Sequence, residues 1–237
     1  MMKLGIIGAM DVEVETLKAA MEGLTVTNRT GMEFFDGTLC GLPAVVVRCG
    51  VGKVNAGLCV QILCDCFGVT HLVNTGIAGS LDPKLDIGDI VVSQDAMYHD
   101  FDCSVFVGYG KGQVPGMPVT FPADEGLMAY AFAAAEAVNA GHTFIGRVAS
   151  GDQFIGRQEQ KDAIIALTHA SCTEMEGAAI AHAAYRNGIP FVILRAISDK
   201  ADNSSEMDYP TFEAIAARRC ASVTEKLAAR IMEEQEG

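Results

Sequence analysis

Little in this chain favours contact with nucleic acid. Only 17 of its 237 residues are Lys or Arg, against 30 Asp and Glu, and no basic run occurs. A nucleic-acid groove needs clustered cations to neutralise phosphates, so a formal net charge of −13 argues against one. The acidity itself requires only a solvated surface and implies no partner. No stretch approaches the roughly 18 apolar residues of a membrane-spanning helix. The apolar start, MMKLGIIGAM, is short and stops at Asp11-Val12-Glu13, where a secretory leader would run on to a small-residue cleavage site. The eight cysteines include no Cys-x-x-Cys pair. That spacing offers neither a zinc site nor a disulfide framework, and suits small buried hydrophobes in a reducing compartment. We expect a soluble, cytoplasmic protein.

Two nucleotide signatures are also missing. Gly5-Ile-Ile-Gly8 follows the first apolar run, but Met10 and Glu13 stand where a dinucleotide fingerprint needs its later glycines. Gly50-Val51-Gly52-Lys53 resembles the end of a P-loop, yet Val54 replaces the required Ser or Thr and Val47 replaces the first glycine. These glycines more readily serve close backbone approach to a smaller ligand.

What the chain does have is 50% hydrophobic residues, enough for one compact domain over residues 1–237. Short apolar runs alternate with helical spacings. Strands are expected at Lys3–Gly8, Met32–Leu39, Pro43–Cys49, His71–Asn74, Asp89–Asp95, His142–Ala149 and Phe191–Ile197. Helices are expected at Asp11–Glu22, Lys53–Phe67, Glu125–Ala140, Gln158–Leu167, Glu176–Asn187 and Tyr209–Glu234. Gly188 and Pro190 close the Glu176–Asn187 helix. Near-continuous apolar strands alternating with helices predict an α/β fold: three layers, α/β/α, around a twisted mixed sheet. Residues 98–122 break regular structure with Gly108, Gly110, Pro115 and Pro118, and carry aromatics such as Phe101, Phe106 and Tyr109. A loop of that length in a compact domain is usually functional, and we expect it to serve a binding site or a subunit contact.

The densest chemistry lies at residues 174–202. Glu174 and Glu176 flank Met175, a helical run follows, and the apolar strand after it ends in Ser198-Asp199. A carboxylate at the mouth of a buried strand near another at a helix start is how α/β enzymes build small-molecule sites.

Nine segments then occur in order: GIIGAMDVEVE, CGVGKVNAG, VNTGIAGSL, LDIGDIVVS, YHDFD, GQVPGMP, SGDQFI, EMEGAAIAH and VILRAISDKAD. Together they resemble the bacterial 5'-methylthioadenosine/S-adenosylhomocysteine nucleosidases of the nucleoside phosphorylase superfamily. The resemblance implies a phosphorylase/hydrolase-like fold, a homodimer, no metal and no cofactor. It implies hydrolysis of the N-glycosidic bond of an adenine thionucleoside, releasing adenine and a thioribose. Position by position, Glu13 matches the base towards the attacking water. Glu176 matches the residue that grips the ribose hydroxyls, with Met175 under the sugar. Asp199, supported by Ser198, matches the acid serving adenine N7. Phe154 would stack on the purine, the Ile155 backbone would read its edge, and Arg195 would lie near the ribose and the water. Met10, Val51 and Tyr209, with Phe106 and Pro115 from a partner subunit, would line an apolar 5'-alkylthio pocket.

The residue types suit that chemistry. Glycosidic cleavage passes through a cationic sugar and needs two acidic groups with opposed duties. One assists the leaving base; the other must be ionised to draw a proton from water, each contributing about 10²–10⁴-fold. Glu176 adds negative charge beside the cation. Glu174 has no catalytic counterpart in the resemblance and is expected to be structural, and His99 is expected to pack the loop. Ile77 departs from the pattern, standing where many relatives carry a serine near the water. A phosphorylase would need a cationic cradle near the first strand, and the chain's first arginine is Arg29. An aminofutalosine-type or 5'-deoxyadenosine nucleosidase fits the same residues, and a nucleoside-binding protein without catalysis is a further alternative.

Overall fold

The computed structural model describes residues 2–236. Strand β1 (Leu4–Gly8) shows how the chain builds its two cores. Side chains alternate across a strand, so Leu4 and Ile6 face one core and Ile7 the other. Strand β4 (Leu42–Arg48), paired parallel to β1, repeats this: Ala44 and Val46 join the first core, Val45 and Val47 the second. Helices α1 (Asp11–Ala20), α3 (Glu125–Val138) and α6 (Ser205–Glu236) cover the first face. Helices α2 (Lys53–Phe67) and α5 (Gly177–Asn187) cover the second. Each fully buried Leu, Ile or Val contributes about 1.5–3 kcal/mol, so both faces are held mainly by apolar burial. This is the expected three-layer α/β arrangement with a mixed sheet.

The sheet is not a simple open one. Strand β5 (His71–Ser80) pairs with β9 (Cys172–Glu174), β9 with β8 (Thr143–Ser150), β8 with β6 (Ile90–Tyr98), β6 with β10 (Phe191–Asp199), and β10 back with β5. Those five strands close into a ring. β1, β4, β3 (Met32–Leu39) and β2 (Met21–Arg29) extend from β5 as an open wing. Register breaks between Ser93 and Asp95 and between Ile197 and Asp199 bend the ring strands. Bulges of this kind re-aim side chains next to sites.

Several elements differ from the sequence expectation. The first helix stops at Ala20, because Met21 turns extended and Gly23 adopts a positive φ of 64°. Residues 21–29 then form β2, an exposed edge strand without an alternating core face. The 98–122 stretch is mostly turns, but it contains a bridge between Asp102 and Lys111 and the two-residue strand β7 (Phe121–Pro122) on β6. The last helix begins at Ser205, four residues before the predicted Tyr209. Helix α4 (Gln158–Thr168) packs Ile164 against a small third cluster with Leu81, Ala149, Ile155 and Ala201. Among the described residues, no helix is long and apolar enough to cross a membrane.

Candidate active site

One pocket gathers most of the expected residues. Glu13, Glu176 and Asp199 line it, with Met10, Val51, Phe154, Ile155, Met175, Ser198 and Tyr209. Its lining is mainly apolar with a few converging polar groups, as small-molecule sites are. The lining residues come from the segments after β1, β4, β8 and β9, from within β5 and β9, from the end of β10, and from α1 and α6.

Glu13 arrives in the first turn of α1. Its Oε2 accepts the N–H of Ala9 at 2.7 Å and of Met10 at 2.9 Å, closing back on the helix start as a capping glutamate does. Its Oε1 accepts the Ile77 N–H at 3.1 Å. Every one of these partners is a donor, which suits a carboxylate. Burial pushes Glu13 above its ordinary range, while the Arg195 charge and the three amides pull it back. A base held somewhat above the free-carboxylate value matches proton transfer better than a very weak one. Gly76 makes room for this arrangement: a Cβ there would lie 2.4 Å from both Glu13 Oε1 and Arg195 Nη1.

Glu176 stands at the start of α5 and accepts the Gly52 N–H at 2.9 Å. Gly50 and Gly52 take φ values of 86° and 99°, which explains the glycines that imitate a P-loop. They aim an amide at a carboxylate, where a P-loop would aim amides at phosphate. Burial, and then the neighbouring Glu174 charge, push Glu176 above the usual carboxylate range.

Asp199 ends β10 just past the register break. Its Oδ2 accepts the Ser198 hydroxyl at 2.9 Å, as the sequence suggested. Its Oδ1 accepts the Ala201 N–H and the Ser205 hydroxyl, both at 2.8 Å. Ser205 is absent from the sequence reading, which placed the helix start too late to reach it. The Phe154 ring stands edge-on to Tyr209, with centroids 5.4 Å apart. The Tyr209 hydroxyl lies 3.4 Å from Met10 Sδ and 3.1 Å from Glu213 Oε1. Ile77 lines the pocket, and its backbone N–H is bonded to Glu13.

Arg195 does not line the pocket. It is 2% exposed, donates to Asn74 Oδ1 at 2.5 Å, is hydrogen-bonded to Glu174, and stays 4.0 Å from Glu176. Burial opposes its charge, but Glu174, Glu13 and Glu176 outweigh burial and keep it protonated. Its ties to Asn74 and Glu174 hold it among the buried carboxylates. Glu174 is structural as expected, yet it is also a lining residue, and it accepts the N–H groups of Glu176 and Gly177 and the Ser150 hydroxyl. Phe106 and Pro115 lie outside this pocket. His99 is partly buried beside Gly151, which fits its expected role in loop packing. Among the described residues, no group of three or more His, Cys, Asp or Glu could hold a metal ion.

The profile of the phosphorylase superfamily matches residues 3–229. A curated 5'-methylthioadenosine/S-adenosylhomocysteine nucleosidase from Psychromonas ingrahamii is 40% identical over 95% of this chain and 98% of its own. The chain belongs to that nucleosidase family. Among solved structures, the family's enzyme from Neisseria meningitidis in complex with methylthio-immucillin-A superposes with a TM-score of 0.94. It is 32% identical and is covered over 97% of this chain and 100% of its own. The futalosine hydrolase of Helicobacter pylori has a TM-score of 0.91 and 30% identity, with 97% and 98% covered. Family membership and fold thus agree with the resemblance read from the nine sequence segments.

Proposed function

We propose that this chain hydrolyses the N-glycosidic bond of 5'-methylthioadenosine and S-adenosylhomocysteine, releasing adenine and the 5'-thioribose. The observation that carries hydrolysis is Glu13, held by three amides at the mouth of β1. A carboxylate there repels phosphate and suits water. The residues lining the pocket include no Lys, Arg or His, so a phosphorolytic cradle is missing from it.

In this reading, adenine N7 takes a proton from Asp199 as the bond from the sugar to N9 breaks, and the bonding electrons stay on the base. Water adds to the anomeric carbon and gives a proton to Glu13. Glu176 holds the vicinal hydroxyls and faces the cationic sugar, where its charge stabilises the transition state more than the ground state. Met175 packs under the sugar and Phe154 lies on the purine. Met10, Val51 and Tyr209 receive the alkylthio group. Arg195 acts from behind, its charge opposing the burial that raises both Glu13 and Glu176. The protein recycles thionucleoside by-products, as in methionine salvage.

The whole of residues 1–237 forms one nucleosidase domain that works as a homodimer. Phe106 and Pro115 of one subunit complete the partner's alkylthio pocket. The exposure of Val105, Phe106 and Val107 in this loop, and of Val54 and Leu58 on α2, supports that assembly by leaving apolar side chains open to a partner. A cytoplasmic location is supported by eight cysteines that are all unpaired.

Adenine release from 5'-methylthioadenosine is to be followed with phosphate removed and then restored. Release independent of phosphate is expected; dependence would make the chain a phosphorylase. The likeness to the futalosine hydrolase favours aminofutalosine as a second substrate to run in the same assay.

A further inference from the structure

The two oxygens of Asp199 are not equivalent. Oδ1 accepts two hydrogen bonds, from the Ala201 amide and the Ser205 hydroxyl. Oδ2 meets the Ser198 hydroxyl. A third contact accords with Ser205 being the donor in that bond. Its Oγ also lies 3.0 Å from the Asp202 backbone nitrogen, which can only donate. Ser205 therefore accepts from Asp202 and spends its single hydrogen on Asp199. Ser205 is completely buried, so water does not compete for that hydrogen. Ala201 holds its amide in place from a positive φ of 51°.

A carboxylic acid donates through the oxygen that carries its hydrogen. An oxygen already accepting from an N–H and an O–H has both lone pairs engaged, and protonating it would expel one donor. The acidic hydrogen thus belongs on Oδ2.

We infer that Ser205 is a positioning residue for glycosidic cleavage: with the Ala201 amide it pins Oδ1 and so presents Oδ2, with its hydrogen, to the leaving base. The inference rests on the reading that Asp199 serves adenine. After transfer, Asp199 is left as an anion facing three donors, Ser198, Ser205 and the Ala201 amide, which stabilise it. Ser205 is also the first residue of α6, and Tyr209 sits one turn further along. The same helix start therefore sets both the acid and one wall of the alkylthio pocket.

The test pairs two substrates. One is 5'-methylthioadenosine; the other is the 4-nitrophenyl glycoside of the same thioribose, whose phenolate departs without a proton. For Ser205→Ala, kcat for adenine release should fall about tenfold, the worth of one buried hydrogen bond, with KM moving less than about twofold. Nitrophenolate release should stay within about twofold of the unaltered protein. Ser205→Thr should recover most of the loss. Equal losses on both substrates, or an unchanged kcat for adenine, would overturn the inference. Should Ser205→Ala not fold, Ser205→Cys takes its place: a weaker donor there should slow adenine release selectively, and an unselective loss refutes the role. Asp199→Asn run alongside separates the two levels. If it releases adenine normally, the reading of Asp199 itself is wrong; if it is inactive while Ser205→Ala is normal, only the role of Ser205 fails.

Discussion

Arg195 and Glu174 form a buried ion pair beside the pocket, and both charges act on Glu176. Glu174 repels Glu176 from β9, Glu13 adds to the repulsion from α1, and Arg195 attracts it from β10. Replacing Glu174 by Gln removes one repulsion while keeping an acceptor for Arg195. Glu176 should then ionise at lower pH, and the acid limb of kcat/KM should move down. A pH–rate profile reads this directly; a limb that stays put or climbs would contradict it. Glu174→Ala leaves the buried guanidinium without its main partner and should cost about 3–5 kcal/mol in denaturant unfolding.

The same carboxylates tie stability to pH. Glu13 and Glu176 are both held above the value of 4.5 they would have in the unfolded chain, chiefly by burial. Folding therefore takes up protons over that window. Their contribution is full below about pH 4.5 and is lost as pH rises through the folded-state values. Groups held low, such as Asp100 and Asp202, act in the acid range beneath it. The melting temperature should decline from mildly acidic to neutral pH, and Glu176→Gln should flatten the decline. A profile unaltered by that substitution would argue against it.

Gly76→Ala tests the space that Gly76 leaves for Glu13 and Arg195. The added methyl would meet both at 2.4 Å, and both belong to the buried charge cluster. We expect a loss of about 1–3 kcal/mol in unfolding free energy from overpacking. Adenine release should fall at least about tenfold as Glu13 shifts.

Ile77→Ser restores a hydroxyl beside Glu13. Ile cannot hydrogen-bond the attacking water, and Arg195 stands too far back to line that side of the pocket. Turnover should rise by at least about twofold, and by no less than the change in KM, because the added bond acts on water rather than on adenine. Steady-state kinetics showing an unaltered turnover number would sink the idea.

Phe106→Ala probes the subunit contact. Phe106 is 62% exposed in the single chain, so its loss should leave folding nearly untouched. It should raise KM for 5'-methylthioadenosine severalfold while changing kcat little. Sedimentation should show a dimer. A monomer that turns over normally would remove the partner's role.

Much of this was legible in the sequence because the decisive residues sit in short, ordered segments. Glu13, Glu176 and Asp199 each follow a strong helix or strand signal, and all three reach one pocket. The apolar runs of β1, β4, β5 and β10 announced the buried sheet. What the sequence hid was long-range. Strand β9 has three residues, too few for a period, so the place of Glu174 against Arg195 could not be seen. Strand β2 buries little and shows no face. The true start of α6 depends on Ser205 meeting Asp199 and Asp202, contacts that exist only once β10 has ended where it does.

The crowding of Glu13, Gly76, Glu174, Glu176 and Arg195 around one guanidinium also bears on how such a sequence can drift. No member can change its charge or size without altering the conditions for the others. Substitutions here should combine far from additively, with some doubles milder than either single. For heredity the five positions behave as one character: a lineage that alters one is held there until a compensating change arrives.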